Sequence, residues 1–140
     1  MFSSKRKVSF YDCDPAGILF FGRIYEICHS AYEELIGTFG LEEDYWSNDK
    51  YAVPIIRSEA EYINVIKYGN VINTEISVSE IKTSSFVLNF ECKSETDEVC
   101  AKVKIVYVFV DKKNWKKTNI KEKIRAGLLK YTNESSSIKR

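Results

Sequence analysis

The residues best equipped for chemistry are crowded into one short stretch, Asp12-Cys13-Asp14-Pro15-Ala16-Gly17. Proline fixes one φ and pushes Asp14 out of the α region, while glycine permits φ above zero, so the stretch must be a restrained turn. A carboxylate held just before a helix lies near that helix's positive end and its unpaired N–H groups. There it can attack a carbonyl carbon or activate a water while the N–H groups polarise the carbonyl oxygen. The same residue types also close turns and cap helices, and local spacing alone does not choose between these roles.

The remaining inventory narrows the chemistry. His29 is the single histidine, so a Ser-His-Asp or Cys-His triad would have to use it and a multi-histidine metal site cannot be built. Cys13, Cys28, Cys92 and Cys100 form no C-x-x-C pair, which favours reduced thiols, a cytoplasmic protein and no metal. Cys13 has no nearby histidine to activate it. With 21 Lys plus Arg against 20 Asp plus Glu, the chain lacks the concentrated positive field of a nucleic-acid binder. Met1 to Lys7 is basic with no apolar run after it, and no stretch reaches a membrane span, so the expected protein is soluble.

The elements that position the loop follow from periodicity. Lys7 to Tyr11 alternates as a half-buried strand leading into the turn. Ile24, Ile27, Cys28, Ala31 and Leu35 follow helical spacing, which predicts a helix over Phe21 to Ile36, stopped near Gly37 and Gly40. Leu41 to Tyr51 reads as a polar connector. Alternation then predicts strands over 55–64, 71–80, 86–92 and 99–110, joined by turns at 67–70, 82–85 and 94–98. Neither face of 55–64 is purely apolar, so its covering surface can be another chain. Ile120, Ile124, Leu128 and Leu129 predict a short helix within 119–131. The expected organisation is one α+β domain over 1–131 with a flexible tail at 132–140.

The run Phe10-Tyr11-Asp12-Cys13-Asp14-Pro15-Ala16-Gly17-Ile18-Leu19-Phe20-Phe21 resembles the signature of the 4-hydroxybenzoyl-CoA thioesterase-like hotdog family. The resemblance implies an antiparallel sheet wrapped around one long helix, acting on acyl-CoA without a cofactor. Subunits would pair as a homodimer or a homotetramer of two dimers, with active sites at the shared interface. It assigns Asp14 as the catalytic carboxylate, nucleophile or general base, and leaves Asp12 structural. It assigns the Phe21 backbone amide, seven residues on, as the oxyanion donor, and places Gly17 at the substrate-binding turn. Tyr25-Glu26-Ile27-Cys28-His29-Ser30-Ala31-Tyr32-Glu33 and Ala52-Val53-Pro54-Ile55 are similar to the cyanobacterial 1,4-dihydroxy-2-naphthoyl-CoA hydrolases, which serve phylloquinone synthesis. The similarity spans residues 7 to 110.

The resemblance has one departure. Where the benzoyl-CoA members carry a basic cluster for the CoA phosphates, Lys82-Thr83-Ser84 keeps one charge, at Lys82. His29, in line with Tyr25, Tyr32 and Glu33, either borders the pocket or makes a structural hydrogen bond. Glu26, Glu33 and Glu34 read as surface or partner-facing charges, and Glu59 and Glu61 as cross-strand partners of cations. A general short-chain or benzoyl-type thioesterase, a non-catalytic acyl-CoA-binding protein and a hydratase are the competing readings.

Overall fold

The computed structural model describes residues 1–132, so the expected tail lies outside the described residues apart from Thr132, which bridges to Val78. Five strands form one antiparallel sheet: β1 (Phe2–Lys7), β3 (Ile55–Tyr62), β4 (Val71–Ile81), β5 (Ser85–Lys93) and β6 (Val99–Val108), in the order β1-β4-β5-β6-β3. The short strands β2 (Tyr51–Ala52) and β7 (Val110–Asp111) pair separately. Helix α1 (Ile24–Gly37) packs on one face of the sheet, and α2 (Glu122–Leu129) follows the last strand.

Register gives the two faces opposite character. One row across the sheet reads Ile76, Phe90, Val103, Ala60, pointing at α1; the next reads Glu75, Glu91, Lys102, Glu61, pointing away. Period-2 alternation therefore buries one side of β4, β5 and β6 and leaves the other charged. Glu59 and Glu61 stand opposite Lys104 and Lys102 in the strand register. Helix α1 buries Ile24, Ile27, Cys28, Ala31 and Leu35, the stripe that its spacing predicted.

Two predicted elements are corrected. The first strand is Phe2–Lys7, not 7–11; Phe10–Asp12 is instead a turn of 3₁₀-helix, and the Phe10 side chain is exposed. The pairing of Lys7 with Val71 and Phe2 with Ile76 fixes this edge strand through backbone hydrogen bonds, which its polar sequence does not advertise. The connector over 41–51 is more than polar filler, because Tyr45 and Tyr51 are buried against Tyr32 and Phe109. Phe86 and Tyr107 stack at 4.9 Å, and Tyr32 lies 4.5 Å from Tyr107, so the core between helix and sheet is largely aromatic here.

Candidate active site

The Asp12 to Gly17 stretch is a loop with a fixed neck. Asp12 is fully buried; its carboxylate accepts Arg6 Nη2 at 3.2 and 3.3 Å and the Ser9 N–H at 3.0 Å. Its carbonyl accepts the Phe20 N–H at 3.0 Å, and Cys13 bridges Leu19, closing the loop. Asp12 is thus an anchor, the structural role expected of it. Contacts from Leu19 N–H to the Ile66 carbonyl and from Tyr68 N–H to the Gly17 carbonyl tie the loop to the segment that enters β4.

Asp14 sits at the tip, partly exposed. Its Oδ1 accepts the Ala16 N–H at 2.9 Å and the Ile18 N–H at 3.4 Å, which sets the rotamer. Oδ2 has no hydrogen bond among the described residues, so one oxygen is held and the other is presented. Gly17 donates its N–H to the Asp14 carbonyl at 2.9 Å with φ of +78°, the conformation that favours glycine. Its visible contribution is this turn geometry.

Phe21 opens a 3₁₀ turn, Phe21–Arg23, that runs directly into α1. Its N–H has no acceptor among the described residues, as befits the first donor of a helical run. The hydroxyl of Tyr62, at the end of β3, donates to the Phe21 carbonyl and ties the edge strand to the start of the helix. Burial raises the Tyr62 phenol pKa, so the hydroxyl stays a donor at neutral pH. Beside the loop, Ile18, Leu19, Tyr62, Ile63, Asn64, Val65 and Ile66 line a largely apolar cavity of about 220 Å³. The Cys13 thiol is pushed up by burial and by Asp12 and Asp14, which makes it a poor nucleophile.

The other predicted residues lie apart. His29 is half-exposed on α1, with Nε2 3.0 Å from Glu33 and its ring edge-on to Trp46. It borders a cleft of about 450 Å³ with Arg6, Tyr25 and Ile55. Lys82 occupies the β4–β5 turn at the opposite end of the sheet, 3.7 Å from Glu80. Tyr62 and Arg6 escaped the sequence reading, since their partners are set by folding. No cluster of metal-binding side chains occurs among the described residues. No helix there is long and apolar enough to cross a membrane.

An antiparallel sheet packed against one long helix is the layout of the hotdog fold. The chain belongs to the thioesterase-like superfamily, whose family model matches residues 8–128. A 1,4-dihydroxy-2-naphthoyl-CoA hydrolase from Prochlorococcus marinus is 30% identical over 95% of this chain and 88% of its own length. A 1,4-dihydroxy-2-naphthoyl-CoA thioesterase from Synechocystis superposes with a TM-score of 0.86 at 19% identity, covering 91% of this chain and 95% of its own. A Staphylococcus aureus protein solved in complex with CoA superposes at 0.85 and 11% identity, covering 94% and 85%.

Proposed function

We propose that the protein hydrolyses an aromatic acyl-CoA, with 1,4-dihydroxy-2-naphthoyl-CoA as first candidate, the reaction then belonging to phylloquinone synthesis. The observation that carries the reading is the unpaired Phe21 N–H at the helix start, on the same loop that presents the free oxygen of Asp14. The Prochlorococcus relative carries the proposed activity in its name.

The thioester oxygen accepts the Phe21 N–H, which stabilises charge building on it as the carbonyl carbon is attacked. Asp14 Oδ2 either attacks that carbon, expelling CoA thiolate and giving an anhydride that water then opens to release the acid and restore Asp14, or takes a proton from a water that attacks the carbon and expels the thiolate. Single-turnover hydrolysis in ¹⁸O water tests for the anhydride route, because label enters Asp14 only when water opens an anhydride at the Asp14 carbonyl. The apolar cavity beside Tyr62 suits an aromatic acyl group.

The working unit is a dimer joined through β3. Every residue of that strand except Ala60 is exposed, its outer edge has no strand partner among the described residues, and Ile55, Ile56, Tyr62, Ile63 and Val65 are all exposed on or just after it. Such an edge pairs with another strand. The opposite edge, β1, is short and basic and is partly covered by α1.

The test is release of CoA thiol from 1,4-dihydroxy-2-naphthoyl-CoA, benzoyl-CoA and aliphatic esters by wild type and Asp14→Asn. The expected result is naphthoyl preference and a loss of roughly 10²- to 10⁴-fold in kcat for the variant. Equal activity in the variant would remove Asp14 from the mechanism. Absence of any wild-type turnover would leave an acyl-CoA-binding protein.

A further inference from the structure

Where β3 ends, the chain leaves the sheet through a pinned bend. The N–H groups of Ile63 and Asn64 both donate to the Cys100 carbonyl, at 2.8 and 3.0 Å, and the Asn64 side chain donates from Nδ2 to the Val99 carbonyl at 2.8 Å. Asn64 is thus held to the start of β6 by backbone and side chain together. A carbonyl accepts and cannot donate, so the amide atom facing Val99 is the nitrogen and the atom left over is the oxygen, Oδ1. Oδ1 accepts no hydrogen bond among the described residues.

Asn64 also forms part of the wall of the cavity beside the Asp14 loop, between the aliphatic side chains of Ile18, Leu19, Ile63 and Val65. Tyr62, in the same wall, has its hydroxyl proton committed to the Phe21 carbonyl. Among the described side chains of this wall, Asn64 is therefore the one with a polar group fixed in direction and open to a ligand. A fixed acceptor in an apolar wall discriminates by hydrogen bonding. An acyl group that brings a hydroxyl satisfies it, whereas one that brings only hydrocarbon displaces water from it and leaves it unpaired. The acyl group itself decides which hydroxyl is available. In a 1,4-dihydroxy-2-naphthoyl thioester the 1-hydroxyl is ortho to the carbonyl and donates to it within the molecule, so its proton is already spent. The 4-hydroxyl, across the ring, has no such partner and needs an acceptor from outside.

We infer that Asn64 is a specificity-determining residue, its Oδ1 accepting the 4-hydroxyl of the acyl ring and so selecting hydroxylated aryl thioesters over plain ones. The inference rests on the hydrolase reading and on the cavity beside Tyr62 receiving the acyl ring. The bonds to Val99 and Cys100 aim the oxygen.

The experiment compares kcat/KM for the CoA esters of 4-hydroxy-2-naphthoate, 1-hydroxy-2-naphthoate and 2-naphthoate in wild type, Asn64→Leu and Asn64→Ala, with thermal melting to establish that each variant is folded. Wild type should favour the 4-hydroxy ester over the plain ester by roughly tenfold, and both variants should bring that ratio to about one. The ratio of the 1-hydroxy ester to the plain ester should not change between wild type and variants. A 4-hydroxy ratio that survives in both variants, or is near one in wild type, overturns the assignment. So does an equal loss on all the esters, which is what a residue that only shapes the bend would give. A fall in the 1-hydroxy ratio instead overturns the choice of hydroxyl. If wild type turns over none of the esters, the hydrolase reading fails, and calorimetric titration with the free acids 4-hydroxy-2-naphthoate and 2-naphthoate reads Asn64 without catalysis. Tighter binding of the hydroxylated acid by wild type but not by Asn64→Leu upholds its role, and equal binding or none overturns it.

Discussion

Tyr62 and Phe21, 41 residues apart in the chain, are joined by a hydrogen bond from the phenol hydroxyl to the backbone carbonyl. The bond orients the peptide at the mouth of α1, beside the N–H that would receive the thioester oxygen. Tyr62→Phe keeps the ring in the apolar cavity and removes the tether. Its expected effect is a fall in kcat of roughly tenfold with KM within about twofold of wild type. A change confined to KM would show that Tyr62 only lines the acyl pocket.

Breaking the Asp12 anchor should cost stability. The carboxylate is fully buried and its partner Arg6 is mostly so, and removing one member of such a pair leaves a buried charge uncompensated. Asp12→Ala is expected to lose about 3 kcal/mol in urea unfolding, with activity falling as the loop neck loosens. Arg6→Ala should destabilise as well. Loss of less than about 1 kcal/mol in both variants would show that the backbone bonds alone hold the neck.

Alkaline pH should unfold the protein through its buried phenols. Burial raises the pKa of Tyr32, Tyr45 and Tyr107 above the ordinary value of 10. The unfolded chain then releases its protons first, so the stabilisation is complete below pH 10 and is lost as pH rises beyond it. Melting temperature followed from pH 8 to about 12 should drop above 10, together with a late rise in phenolate absorbance. The Tyr107 hydroxyl has no hydrogen-bond partner among the described residues, so Tyr107→Phe should shift stability by less than about 1 kcal/mol.

Gly127 tests packing against propensity. A Cβ there would stand 2.5 Å from a ring carbon of Phe39, too close for the ring to keep its place. Alanine in a helix gains about 1 kcal/mol over glycine, while overpacking costs about 1–3 kcal/mol, so Gly127→Ala should be neutral to destabilising. Pairing it with Phe39→Leu should recover the helical gain.

What could be read in advance followed the range of the signal. The Asp14 turn was legible because proline and glycine act within a few residues, and the stripe on α1 because burial on one face imposes its own period. Alternation located β4, β5 and β6. The first strand was displaced because Phe2–Lys7 pairs by backbone while Val8 and Phe10 mimic a strand, and only Val8 is buried. Tyr45 and Tyr51 looked like connector residues because their burial depends on Phe109, distant in sequence.

The bare outer edge of β3 has a consequence for the life of the chain. An eight-residue edge strand whose outward hydrogen-bonding groups have no strand partner among the described residues, with isoleucines beside them, is a template for uncontrolled association. On the pairing proposed above, the contact that removes this aggregation hazard is also the one that completes the catalytic unit. A newly made protomer would be sticky and idle together, and safe and competent together, so specific activity should fall on dilution as dimers dissociate.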